Sequence, residues 1–70
     1  MTYYAIKNKK DGRLVAGTDY TRNGPPRQIL ADENRAPKLF GSRTTAEIEM
    51  QVRRMSGARY KVVAVEVREV

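Results

Sequence analysis

Lys7, Lys9, Lys10 and Arg13 crowd one short stretch of this chain, opposed there only by Asp11. Cations spaced so closely suit one kind of chemistry, the holding of phosphate or carboxylate oxygens, which arginine grips in a bidentate manner. Arg22, Arg27 and Arg35, with Lys38 and Arg43, carry the basic set along and beside residues 21–41. Arg53, Arg54, Arg59 and Lys61 form a second set around the expected helix end. In all, 14 Lys and Arg stand against 8 Asp and Glu, a formal charge of +6. The candidate binding residues are Lys7, Lys9, Lys10, Arg13, Arg22, Arg27 and Arg35. The competing reading is solvation, since such charges keep a small domain soluble. No motif accompanies them: there is no RNA-recognition aromatic signature, no Gly-x-x-Gly clamp and no helix-turn-helix pattern.

Catalysis has little to work with. The chain has no Cys, no His and no Trp. That removes zinc fingers, thiol nucleophiles, Ser-His-Asp relays and imidazole bases. Glu47 and Glu49 lie two apart on an expected helix, where they do not share a face and form no dyad. Asp32-Glu33 either caps a turn or holds a cation weakly. Gly12, Gly17 and Gly24 lack phosphate-loop spacing. No enzymatic activity, cofactor or metal is expected. Four tyrosines could add stacking surface. Tyr3 and Tyr4 are adjacent, however, and point to opposite faces of a strand. Aromatic packing with a wet hydroxyl is the simpler role.

These residues need a scaffold, and 70 residues supply one small domain, 1–70. With no Cys there is no disulfide to staple it, so one core must suffice or a second copy must add burial. Zero Cys also fits a reducing cytoplasm. Residues 1–6 are too short and polar for a signal sequence, and the longest apolar run, residues 62–65, is far below a membrane span.

Residues 2–7, with Tyr3, Tyr4 and Ile6, read as a strand. Asp11-Gly12 is a strong turn pair, and residues 13–20 read as the returning strand. A loop of residues 9–12 places Gly12 in the left-handed conformation. It sets Asn8 opposite Arg13, Ile6 opposite Val15 and Tyr4 opposite Gly17, which gathers Ile6, Val15 and Tyr4 on one face. Residues 21–41 hold all three prolines and read as a long ordered loop pinned by Ile29-Leu30 and Leu39-Phe40. The segment has room for a short strand or a single helical turn near residues 28–31. Loops of this length are often functional.

A helix is expected over residues 45–56. Thr44 and Glu47 have capping-box spacing, with Ser42 as an alternative cap. Ile48, Val52 and Met55 make one apolar stripe, Glu49 and Arg53 an i, i+4 pair, and Gly57 the C-cap. Residues 60–70 read as a Val-rich strand. Val63, Val65 and Val67 share one face, and Val62 and Ala64 make the start of the other face apolar too. A strand apolar on both faces reads as central rather than edge. The fold class is α+β, ordered ββαβ: a three-stranded, mainly antiparallel sheet with one helix packed on one face. The expected core is Ile6, Val15, Ile48, Val52, Met55, Val63 and Val65, closed at one end by Phe40.

Residues 38–67 carry a family likeness. They run basic–Leu39–Phe40–x–Ser42, a helix opening with Ala46 and charged residues, then Tyr60–x–Val62–Val63 in a closing strand. With the Asp11-Gly12 hairpin before it, the chain resembles small, mostly uncharacterised proteins of bacteriophages and prophages. The resemblance implies a phage-like origin and a place in the host cytoplasm, with no definite activity. Three functional readings follow. The first is an accessory protein that binds a bacterial protein or other anionic partner. The second is a small basic nucleic-acid-binding module. The third is a self-associating structural module, a homodimer paired through the Val-rich last strand. No membrane partner is expected.

Overall fold

The computed structural model describes residues 1–19 and 27–67. It is a small α+β fold with strands β1 (Thr2–Asn8), β2 (Val15–Asp19), β3 (Arg27–Leu30) and β4 (Tyr60–Glu66), and one helix, α1 (Arg43–Val52). The strands form two separate antiparallel pairs, β1 with β4 and β2 with β3. The expected single three-stranded sheet is therefore replaced by four strands in two sheets.

The cause lies just beyond the first turn. Asn8 N–H donates to Arg13 O at 2.8 Å, Lys7 bridges Leu14, and Gly12 has φ +70°. The turn thus forms as the sequence predicts, and its expected register holds at Asn8–Arg13 and Lys7–Leu14. The Asn8 side-chain oxygen also accepts from the Lys10 and Asp11 N–H groups, at 2.8 and 3.3 Å. Gly12→Val forces a β-branched residue into a left-handed conformation. It should cost about 1–2 kcal/mol, read as a lower urea midpoint.

After Leu14 the two strands part. Tyr4 pairs not with Gly17 but with Phe40, whose N–H and C=O exchange two bonds with it, at 2.7 and 2.9 Å. β2 instead turns to β3, with a register shift between Val15 and Gly17. Local irregularity of this kind bends a strand out of its sheet. The 21–41 segment therefore contributes β3 and the strand-like contact at Phe40. Its Gly24 and Pro25-Pro26 lie outside the described residues.

β1 and β4 pair along their whole length, from Thr2 opposite Glu66 to Asn8 opposite Tyr60. The helix lies against both strands. Ile6, Val15, Phe40, Ala46 and Met55 form the buried cluster, with Tyr4, Leu30, Met50, Tyr60 and Val62 packed on it. Four expected core residues are not in this cluster. Ile48 and Val52 are 54% and 65% exposed. Val63 and Val65 are half-buried and alternate to the sheet face opposite Val62.

The way α1 ends turns its apolar residues off the expected stripe. Ser42 is the N-cap, accepting from Thr45 N–H at 3.2 Å, so the alternative cap prevails over Thr44. The helix then stops at Val52 rather than Ser56, with Arg53 as C-cap. Arg54 takes a left-handed conformation, φ 56°. Met55 N–H bonds Met50 O at 2.8 Å and Arg54 N–H bonds Gln51 O at 3.2 Å. This is a Schellman motif, with arginine where glycine is usual and Gly57 three residues too late. Met55 is thereby folded back towards Met50, off any helical stripe with Ile48 and Val52. Arg54→Gly relieves the left-handed strain and should stabilise by up to about 1 kcal/mol. On a domain this size that raises the melting temperature by about 4–8 °C.

Candidate anion-binding end

Several of the cations serve the fold. Lys38 Nζ lies 5.6 Å from the Phe40 ring centre and 3.9 Å from a Glu49 carboxylate oxygen. The Arg43 guanidinium sits 5.4 Å from the Tyr4 ring centre. Arg53 pairs with Glu49 at i, i+4, as its spacing predicts. The Arg53 hydrogen bond, helped by the charges of Arg53 and Lys38, holds the Glu49 carboxyl below its ordinary range against the opposing effect of burial. Its pKa is lowered by folding, so this contribution to stability is full above the unfolded carboxyl pKa and is lost as pH falls through the folded one. Gln28 fixes the β2–β3 arm to the helix end by donating from its side-chain nitrogen to Arg53 O at 3.2 Å.

The seven candidate binding residues divide. Lys7, Lys9, Lys10 and Arg13 surround the β1–β2 turn. Arg13 donates twice to Ala31 O, at 2.9 and 3.1 Å, which commits its guanidinium to the end of β3. Arg27 opens β3, opposite Asp19. Arg35 closes a tight turn with Asp32, bonded N–H to C=O in both directions. The Asp32 carboxylate accepts from Asn34 N–H at 2.8 Å, so this residue caps a turn. Among the described residues no cluster of three or more acidic side chains is placed to hold a metal. Arg22 lies outside the described residues. Arg27 and Arg35 are thus not joined to the turn in one site.

The β1–β4 register supplies what the sequence list lacks. It sets Lys7 directly opposite Lys61. It also brings Lys9 beside Arg59, whose carbonyl accepts from Lys9 N–H at 2.8 Å. The Lys9 ammonium reaches Gly57 O at 2.7 Å. Lys7, Lys9, Lys10, Arg59 and Lys61 thus share one end of the molecule, and among the described residues none of them pairs with a carboxylate. An open cleft of about 560 Å³ runs between the turn and the start of β4, lined by Asn8, Lys9, Lys10, Ala58, Arg59 and Tyr60. The space between β2 and α1, lined in part by Lys38 and Arg53, offers only about 10 Å³, barely one water. Arg59 and Lys61 belong to the second basic set of the sequence, and only the pairing of β1 with β4 joins them to the first.

The described tyrosines have other duties. Tyr4 and Tyr60 pack on the core, and the Tyr3 hydroxyl lies 2.9 Å from the Met1 sulfur. No helix among the described residues is long and apolar enough to cross a membrane. Comparison with known family models, curated proteins and solved structures finds no match to this chain.

Proposed function

We propose that this chain is a non-enzymatic binding module whose basic end grips the phosphate backbone of a nucleic acid. The observation that carries the reading is the β1–β4 register, which brings Lys9, Lys10 and Arg59 to one open cleft and sets Lys7 opposite Lys61 on the adjoining sheet. Like charges set directly opposite on a sheet repel, as Lys7 and Lys61 do, and an anion between them relieves the repulsion. An acidic face of a bacterial protein is the competing partner. Protein interfaces centre on desolvated apolar or aromatic anchors. Among the described residues, Tyr60 is the only aromatic one lining the cleft, and its ring is already packed on the core. That favours a partner recognised by charge. The setting we propose, from the resemblance of residues 38–67, is an accessory role in the cytoplasm of a phage-infected host.

The test is the salt dependence of binding to duplex DNA. Affinity should fall linearly with salt on logarithmic axes, with a slope of about −0.9 per phosphate contact. Replacing Lys9, Lys10 and Arg59 together by Ser should flatten that slope by up to about 2.7, at roughly 0.9 per lost contact. The Arg27→Ser, Arg35→Ser double variant should leave it alone. No electrophoretic shift of duplex or single-stranded nucleic acid in low salt would defeat the reading, as would a triple variant that binds like the native chain.

A further inference from the structure

The outer edge of β4 points to a second copy of this chain. In an antiparallel pair, residues alternate between bonding the partner strand and facing away. Tyr4 and Asn8 turn their backbone groups to Phe40 and Arg13, away from β4, while Lys9 and Met1 turn theirs to Arg59 and Val67. The odd-numbered residues of β1 and β4 therefore bond each other across the ribbon. Val62 and Ala64 of β4 must present their N–H and C=O groups outward. The outer edge of β1 is covered by Phe40 and by the start of the turn. Among the described residues, no strand covers that of β4.

Edge strands are commonly protected by proline, by bulges or by charged side chains, lysine above all; β4 carries Lys61 and Glu66 near its two ends and no charge over Val62, Val63, Ala64 and Val65 between them. Over Tyr60–Glu66 there is no proline, and the register with β1 runs without a shift. The sequence of β4, apolar on both faces at its start, reads as a central strand, yet β4 has one partner within the chain. A second β4 makes it central.

We propose that two copies pair through β4, antiparallel about a two-fold axis at Val63, into a four-stranded sheet. Val63 is the midpoint of Tyr60–Glu66, so this register overlaps the whole strand. Val62 meets Ala64 of the second copy, and Ala64 meets its Val62, which joins the outward backbone groups in four hydrogen bonds. Val63 meets Val63, the Lys61 stem lies beside Val65, and Tyr60 faces Glu66, so no like charges stand directly opposite. The apolar faces carrying the buried Ala5 and the half-buried Tyr3, Val63 and Val65 become continuous. The antiparallel arrangement also separates the two basic ends. Arg59 of one copy stands eight residues along the pairing from Arg59 of the other, roughly 27 Å at the rise of a strand. That exceeds the screening length of about 8 Å at physiological salt. A parallel pairing would place the basic ends side by side.

Sedimentation velocity across a concentration series should give twice the 8.0 kDa of one chain. Ala64→Pro removes an outward N–H, so it should return the mass to that of a monomer without loss of the helical circular dichroism signal. Because the chain has no cysteine, single introduced thiols report the register directly. Directly opposed residues in a non-hydrogen-bonded pair lie about 4.5 Å apart at Cα, within disulfide reach. Val63→Cys should cross-link to a dimer under mild oxidation, whereas Val65→Cys, offset from its own copy by four residues, should not. A native mass of 8.0 kDa at every concentration overturns the proposal, and so does a monomer that captures foreign strands at this edge. Equal cross-linking of the two cysteine variants, or a dimer that survives Ala64→Pro, overturns the register and the edge respectively.

Discussion

Ile6→Ala should destabilise the protein by about 2–5 kcal/mol, while Val52→Ala should change stability by less than about 0.5 kcal/mol. The two residues look alike in sequence: each is an aliphatic residue with an apolar neighbour at the spacing of its element. Their positions differ completely. Ile6 is 1% exposed and is the largest fully buried side chain among the described residues. It stands between the β1–β4 ribbon, the helix and the start of β2, in one cluster with Val15, Phe40, Ala46 and Met55. Removing its branched chain leaves a cavity that three separate elements would have to move to fill. Val52 is 65% exposed on the last turn of the helix. Alanine there even has the better helix propensity, which offsets the small loss of packing. Urea unfolding monitored by circular dichroism checks both. A large loss for Val52→Ala would place the Ile48–Val52 face against the sheet.

The parts of this fold that were legible in the sequence are the local ones. Asp11-Gly12 predicts its turn because the left-handed conformation is a property of the residue itself, and Gly12 has it. The Glu49–Arg53 pair and the closing strand follow from spacing within a few residues. What failed needs distant information or a local exception. β1 takes β4 as its neighbour, some 60 residues away, and Phe40 occupies the place expected for Gly17. Nothing within either strand announces that choice. The buried face of the helix differs from the expected stripe because an arginine ends the helix by entering a conformation that residue type disfavours. A stripe drawn through Met55 assumes three more helical residues than exist. The candidate site follows the same division. The turn cations Lys7, Lys9 and Lys10 are visible as a cluster in sequence, but Arg59 and Lys61 join them only through the register. Arg27 and Arg35, near them in charge alone, go to the opposite strand pair and its loop.

The sharpest test of this packing is Ala46, for which Ala46→Asp should leave the chain largely unfolded at room temperature. Ala46 is 0% exposed and belongs to the central cluster, on the helical turn after the Ser42 cap. Its small side chain lets the helix backbone approach a sheet face already filled by Tyr4, Ile6, Tyr60 and Val62. An aspartate there meets two costs at once. Extra atoms must enter a packed space, which typically costs about 1–3 kcal/mol. A carboxyl group must also leave water with no polar partner placed for it, which costs roughly 2–7 kcal/mol even for a neutral polar group. Domains of this length have stabilities of about 3.5–10 kcal/mol, at 0.05–0.15 kcal/mol per residue. The combined cost is therefore comparable with the whole. Val52→Asp puts the same charge on an exposed part of the helix, about 120° round from Ala46, and should leave a folded protein that loses only about 1 kcal/mol to helix propensity and the helix dipole. Amide hydrogen exchange separates the two variants: protection in β1 and β4 should collapse for Ala46→Asp and persist for Val52→Asp. The reverse ranking would mean that the helix presents Ile48 and Val52 to the sheet and carries Ala46 to solvent.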